Sequence, residues 1–326
     1  MAAPVGSVRL IRAIDRERAV RQGEAVPPRK WTGAAGAGVS APLPVILPDP
    51  ARRFAATARR LDTVATGHPM EEWLRFMAQL AWGQHAAVTA LAPLAAVNIA
   101  SVEDAVMART PPLATDRLDP AWQRALSRIL QHFDTVALPE QAGEVIADLK
   151  RHDPAALEAL ADAFLRGVLE AQQSGHALYI AAALQVHFTS LAATLAADSL
   201  RLLPQRGLCP CCGSTPVTGL VTASGRTPGS RYLYCSLCST AWNHVRAVCI
   251  TCGVSGTLSL KSIEGDHGAV KAETCGSCRT YAKLLYEAQD TQMDPFADDL
   301  ASLALDVLVG EAGWSRHAPN PLLLIG

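Results

Sequence analysis

All nine cysteines of the chain fall between Cys209 and Cys278, and the first 208 residues contain none. Eight of them form four C-x-x-C pairs: Cys209/Cys212, Cys235/Cys238, Cys249/Cys252 and Cys275/Cys278. Such a pair sets two thiolates about one edge of a metal tetrahedron apart, in a turn whose backbone N–H groups can donate to the sulfurs. Two pairs brought together complete a four-sulfur site. The third and fourth pairs repeat the first and second at a constant offset of 40 residues, and Gly213 recurs as Gly253 at that offset. This is an internal duplication. The gap-free repeat assigns Cys209, Cys212, Cys235 and Cys238 to one metal and Cys249, Cys252, Cys275 and Cys278 to another. The alternative pairing has Cys235/Cys238 share a metal with Cys249/Cys252, since only ten residues separate them.

Two other uses of these cysteines fit less well. Structural disulfides belong to oxidising compartments, and a thioredoxin-like redox motif is one pair near a βαβ unit, not four pairs in tandem. Tetrahedral all-thiolate sites suit zinc and also the single iron of rubredoxins. Cys209-Pro210-Cys211-Cys212-Gly213 fits the rubredoxin knuckle C-P-x-C-G. Cys211 is left over, and is expected to pack as a small apolar residue in preference to acting as a reactive thiol. His244 and His267 lie close by in sequence, but four sulfurs already complete each tetrahedron, so they are expected outside the metal shell.

Hairpins must bring the knuckles together. Pro216 to Thr222 and Arg231 to Tyr234 read as two strands joined by a Gly- and Pro-containing loop. In the second copy, Leu258 to Ile263 and Ala269 to Glu273 flank a turn at Glu264-Gly265-Asp266. Each copy is knuckle, hairpin, knuckle, the layout of a rubredoxin or zinc-ribbon unit.

The rest of the chain is helical in texture. Of 326 residues, 49% are apolar, 18% charged and 5% aromatic, which supports a sizeable core and argues against wholesale disorder. Asp-Pro recurs at Asp49-Pro50, Asp119-Pro120 and Asp153-Pro154, a helix-start signal. After Asp153, Leu157, Leu160, Ala161, Phe164, Leu165 and Val168 fall on one helical stripe. A bundle of about five or six helices is expected. A final helix is expected from Asp294-Pro295 through Leu300, Leu303, Ala304 and Val307 to Gly310. The fold class is thus multidomain α plus small β: an arm over residues 1–48, a helical domain over 49–204, rubredoxin-like modules over 205–246 and 247–290, and a C-terminal helix and tail over 291–326.

Charge and hydropathy exclude several classes. Lys plus Arg is 29 against 30 for Asp plus Glu, a formal net charge of -1, so a globally basic nucleic-acid binder is not supported. Between Gln205 and Lys283, eight Lys or Arg stand against three Asp or Glu. Two four-thiolate cages around divalent ions, each with a net charge of about -2, largely absorb that surplus. Tyr232, Tyr234, Trp242 and Tyr281 are expected as hairpin packing and not as a base-stacking platform. Phe76 to Val102 and Ala171 to Ala197 each run 27 residues without a charge, but are rich in Ala and carry Gln79, Gln84 and Gln185. They read as buried helices, not membrane spans. Charges at Arg9, Arg12, Asp15, Arg16, Glu17 and Arg18 leave no apolar export segment, so a cytoplasmic location is expected. No hydrolytic triad, P-loop or dinucleotide fingerprint appears, which disfavours a conventional enzyme.

The run CPCCGSTPV, then RYLYCSLCSTAWN with VRAVCITCG, then AVKAETCGSCRTYAKLLYEAQD and DPFADDLASLALDVLV, resembles the formate dehydrogenase accessory protein FdhE family from about Leu203 to about Leu308. The resemblance implies a cytoplasmic, non-enzymatic protein needed to make active respiratory formate dehydrogenase. It implies action on the molybdenum-containing catalytic subunit before export, and rubredoxin-like sites that bind iron, two ions per chain, with zinc as the alternative. All eight paired cysteines match family positions, and Cys211 departs from the pattern. Two further functional classes stand beside an assembly factor: an electron-transfer or sulfur-handling enzyme, and a zinc-ribbon nucleic-acid adaptor, which the charge disfavours.

Overall fold

Asp49, Asp119, Asp153 and Asp294 each stand before a proline, and each turns its carboxylate onto free backbone N–H groups just beyond it. The donors are Ala51 at 3.0 Å, Ala121 at 2.8 Å, Ala156 at 2.8 Å, and Phe296 and Ala297 at 3.0 and 2.8 Å. The carboxylate satisfies a donor that the helix start leaves open, and the proline has none to satisfy. The computed structural model describes residues 10–12, 41–91, 99–113, 115 and 118–323. Among these residues, seven α-helices precede the first cysteine: α1 (Pro50–Ala65), α2 (Glu71–Ala90), α3 (Ile99–Ala108), α4 (Ala121–His132), α5 (Glu140–Arg151), α6 (Pro154–Leu165) and α7 (Ser174–Ala192). That is one more than the upper figure the periodicity suggests.

Helix α7 is the axis of this body. Ala177 and every residue from Tyr179 to Thr189 are buried, and α1, α2, α4, α5 and α6 pack around it. This burial on all sides explains its lack of charge. No helix among the described residues is long and apolar enough to cross a membrane. The stripe expected on α6 runs one residue too far. Arg166 ends the helix, Gly167 takes φ 67°, and the N–H groups of Gly167 and Val168 return to the carbonyls of Phe164 and Ala163. This Schellman turn throws Val168 into solvent, where it is 61% exposed.

The cysteine block forms β3 (Pro216–Val221), β4 (Arg231–Cys235), β5 (Ala241–Asn243), β6 (Leu258–Ile263), β7 (Val270–Cys275) and β8 (Thr280–Tyr286). The two expected hairpins are β3–β4 and β6–β7, both antiparallel. Each copy adds a third strand the sequence did not announce, β5 beside β4 and β8 beside β7. The copies then merge, because β3 lies parallel to β8 with Gly219 opposite Leu284. A Cβ at Gly219 would stand 2.7 Å from Leu284 Cδ2, so the strands approach this closely only at glycine.

Among the described residues the sheet has nine strands in the order β1-β6-β7-β8-β3-β4-β5-β2, with β9 (Ser315–Arg316) on β8. The outer strands β1 (Leu10–Arg12) and β2 (Val45–Ile46) both come from the region expected as an arm, and they cover opposite edges of the sheet. The remainder of that arm, 1–9 and 13–40, lies outside the described residues.

The expected C-terminal helix is broken in two, α8 (Ala297–Ala301) and α9 (Leu303–Glu311), at Ser302 with φ -110° and ψ 31°. The cause is Lys283 on β8. Its fully buried ammonium donates to the carbonyl of Asp299 at 2.6 Å and to the Ser302 hydroxyl at 3.1 Å, taking an acceptor the helix would otherwise use. The break also rotates the stripe. Leu305 and Val309 are buried, while Val307 is 59% exposed. Lys283 further pairs with Asp299 at 2.9 Å and Asp306 at 2.6 Å, and Arg316 and Asn320 reach Asp299 at 2.5 and 2.7 Å. This network fastens both short helices and the tail to β8.

Candidate metal centres

Each hairpin carries one knuckle before it and one after it, so folding the hairpin brings four sulfurs together. In the first copy Cys209 Sγ lies 3.5 Å from Cys238 Sγ, and Cys212 Sγ 3.4 Å from Cys235 Sγ. In the second, Cys249 and Cys278 are 3.7 Å apart and Cys252 and Cys275 3.8 Å. Within each set the four sulfurs lie within 4.8 Å of one another. A tetrahedron of sulfurs about 2.3 Å from a metal has edges of about 3.8 Å, close to these spacings. The sulfurs gathered belong to one copy each, and Cys235/Cys238 do not join Cys249/Cys252.

The knuckles repeat in backbone detail. Gly213 and Gly253 take φ 77° and 72°, with their N–H groups on the carbonyls of Cys209 and Cys249. Only glycine adopts that region freely, which is why it follows the second cysteine of each opening knuckle. Ser239 and Arg279, which follow the closing knuckles, both take φ 59° without being glycine. They too stand 40 residues apart, but with no glycine at either position the residue types do not signal the conformation. Thr240 and Thr280 place hydroxyls 3.2 and 3.0 Å from Cys238 Sγ and Cys278 Sγ. Backbone N–H groups of Cys211, Leu237 and Cys238 donate to Cys209 Sγ or Cys235 Sγ at 3.3–3.4 Å.

The electrostatics call for a cation. Burial pushes the Cys209 and Cys235 thiols well above their usual range. Burial likewise takes Cys249 up to about 12. At Cys275 burial acts upward too, but hydrogen bonds from Thr257 and from the backbone of Cys278 and Ser277 outweigh it and bring the thiol down to about 6. Four thiolates side by side persist only when a multivalent cation balances them. The donor set therefore fits one tetrahedral zinc or iron ion per copy, closed, with no open position.

The surroundings of the two sets differ. In the first, all four cysteines are buried, at 0%, 3%, 0% and 0% exposure for Cys209, Cys212, Cys235 and Cys238. Its knuckles are bonded to the helical body. Gln185 on α7 donates to the Ser236 carbonyl at 2.9 Å, and Thr189 and Arg53 meet the Ser239 hydroxyl at 3.0 Å each. The N–H of Leu113 donates to the Cys211 carbonyl at 2.9 Å. Gln84 on α2 supports Gln185 at 2.9 Å. Gln84 and Gln185 were visible as polar interruptions of charge-free stretches, but nothing local assigns them a partner. In the second set Cys249 and Cys275 are buried, Cys278 is half-buried and Cys252 is exposed.

The remaining expected residues fall as follows. Cys211 is fully buried, in the place that Thr251 holds in the second copy, where Thr251 bonds Thr280 at 2.9 Å and His317 at 2.7 Å. His244 is buried and bonds Arg231, while His267 is exposed. Tyr232, Trp242 and Tyr281 are buried in the sheet, and Tyr234 meets Phe296 edge to face at 6.3 Å.

Three family models match the chain in succession: "FdhE, N-terminal" over residues 42–204, "FdhE, central domain" over 208–246 and "FdhE, C-terminal domain" over 247–323. The chain is 40% identical over 286 residues to a "Protein FdhE homolog" of Edwardsiella ictaluri, covering 87% of this chain and 92% of that one. It is 34% identical to "Protein FdhE" of Escherichia coli, covering 87% and 92%. Its fold matches the crystal structure of the FdhE protein from Pseudomonas aeruginosa with a TM-score of 0.78 at 34% identity, over 86% of this chain and 99% of that one. Matched by these three models along nearly all of its described length and by relatives at 34–40% identity, the chain belongs to the FdhE family.

Proposed function

We propose that the protein is an assembly factor for a respiratory formate dehydrogenase, binding the enzyme's catalytic subunit in the cytoplasm before export. Its ligands are Cys209, Cys212, Cys235 and Cys238 for one iron ion and Cys249, Cys252, Cys275 and Cys278 for a second, with zinc the alternative metal. The division into a helical domain over 49–204, metal modules over 205–246 and 247–290, and a closing helix and tail over 291–326 belongs to the same reading. Iron held in such a cage supplies one-electron exchange.

The observation that carries this reading is the match of three consecutive FdhE models along one chain that also holds two closed four-sulfur clusters. A closed tetrathiolate site holds shape or passes electrons, but has no position at which to activate water or a substrate. The residues that set the first cluster in place, Gln185, Thr189 and Arg53, come from the helical body. A partner gripping that body is therefore mechanically linked to the first cluster.

Deletion of the gene tests the proposal. The expected result is loss of respiratory formate oxidation while the catalytic subunit is still made, with rescue by the intact protein and not by Cys209→Ser or Cys275→Ser. The purified protein is also expected to capture the catalytic subunit directly. Normal formate oxidation in the deletion strain, with no paralogue present, overturns the reading.

A further inference from the structure

We infer that the two four-sulfur centres divide their roles: the second is an exchange site whose ion passes to an incoming thiolate or chelator, and the first keeps its ion as a fixed brace between helices and sheet. This inference rests on the reading of both clusters as metal centres.

The duplication makes each centre a control for the other. Ligand spacing is identical, Gly213 and Gly253 share one backbone conformation, and Ser239 and Arg279 share another. A threonine hydroxyl meets the last sulfur in both. Differences in the ligands themselves therefore cancel, and the environment decides which ion can leave.

At the first centre every route to the sulfurs is closed. All four cysteines are buried, and both knuckles are tied by hydrogen bonds to elements outside the sheet, through Leu113, Gln185, Thr189 and Arg53. Opening this site requires the sheet to part from α1 and α7. At the second centre, residues 251–257 of the opening knuckle form an unbroken exposed run that includes Cys252. Gly276, Ser277 and Arg279 of the closing knuckle are exposed as well, around half-buried Cys278. Ties to this centre come from the C-terminal tail, His317 to Thr251 and Arg279 to the Gly313 carbonyl.

Thiolate exchange at such a centre is associative and needs an open edge. The Cys252 edge is open. The bond from the ion to Cys252 Sγ breaks as the bond to the entering sulfur forms, the released Cys252 thiolate takes a proton from water, and no electron changes hands. Repetition at Cys278 and then at the buried pair frees the ion. The chemical class of the exchange partner is a soluble thiol or a metal-free thiol-rich protein that takes up the ion.

The test uses the full chain carrying two ions, challenged with 4-(2-pyridylazo)resorcinol or EDTA while iodoacetamide labels each thiol as it is freed. The expected release has two phases of one ion each, the fast one leading by about tenfold or more, the scale on which outer-shell groups tune metal sites. Mass mapping is expected to find Cys252 and Cys278 alkylated in the fast phase, with Cys209, Cys212, Cys235 and Cys238 protected until the slow one. Cys252→Ser is expected to remove the fast phase, whereas Gln185→Leu with Thr189→Val speeds only the slow phase. Two ions leaving in a single phase, or alkylation of the first centre as early as Cys252, overturns the inference while leaving the metal reading intact. A chain that holds no ion after anaerobic loading overturns both.

Discussion

Arg231 and Glu273 form an ion pair of 2.6 Å in which the two side chains are 0% and 7% exposed, with one partner on β4 of the first copy and the other on β7 of the second. The same guanidinium donates to His244 Nδ1 at 2.6 Å, to the Val248 carbonyl at 2.8 Å and to the Val245 carbonyl. One buried cation thus fixes the second module against the first and holds the linker between them. Burial pushes the Glu273 carboxyl up, against the pull of Arg231.

Arg231→Met is therefore expected to destabilise the protein by about 3–5 kcal/mol, the usual scale for removing one member of a buried pair. The double variant Arg231→Met with Glu273→Gln is expected to lose less than the two single losses combined, because neither leaves an unmatched charge behind. Chemical denaturation of the four proteins measures this. A loss below about 1 kcal/mol for Arg231→Met contradicts the role assigned to the pair.

His244 gives a pH dependence with a definite sign. Burial first, and Arg231 second, hold its imidazole down at about 4, while the unfolded chain titrates near about 6.5. The unfolded state then binds the proton more readily, so the contribution is complete above about 6.5 and is lost as the pH falls towards 4. His244→Gln keeps an acceptor for Arg231 and cannot titrate. The wild type is expected to lose more stability than this variant between pH 7 and pH 5, in paired melts at equal metal occupancy. His317, also held at about 4 by burial and Arg316, preserves part of the slope in the variant. Parallel curves for the two proteins contradict the assignment.

Lys283 anchors the end of the chain. Lys283→Met leaves Asp299, whose side chain is fully buried, with Arg316 as its one cationic partner among the described residues. The expected loss is about 3–5 kcal/mol, with amide exchange accelerated over α8, α9 and the tail before the helical body opens. Uniform exchange across the whole chain contradicts this order.

Replacement of single cysteines separates the copies. Cys209→Ser and Cys275→Ser are each expected to remove one ion and much of the local module, since so small a ribbon has little core of its own. Cys211→Ser is expected to keep both ions. Its thiol is buried beside the first cluster, in the place where the second copy carries the hydroxyl of Thr251. Elemental analysis of the three variants checks this, and loss of an ion in Cys211→Ser would show that the opening knuckle uses a different sulfur.

What the sequence made legible was local chemistry. The knuckles, the hairpins between them and the Asp-Pro helix starts depend on residues within a few positions of each other, and these stand where the spacing puts them. Strands β5 and β8 are not legible locally, for different reasons. Ala241–Asn243 is too short to show alternation, and the run Thr280–Tyr286 shows its strand character only against β7 and β3. The break at Ser302 comes from Lys283, on another element, and the arm's strands exist only as partners of β5 and β6. The contrast between the two clusters was illegible because their ligands and spacing are the same. It arises from Arg53, Gln185 and Thr189, residues remote in sequence that reach one knuckle and not its copy.

X-ray absorption at the metal edge of protein purified without oxygen tests the central claim most directly. Two ions per chain are expected, each with four sulfur neighbours at about 2.3 Å. Mainly nitrogen or oxygen neighbours, or one ion shared by the whole chain, would contradict two four-thiolate centres built one from each copy of the repeat.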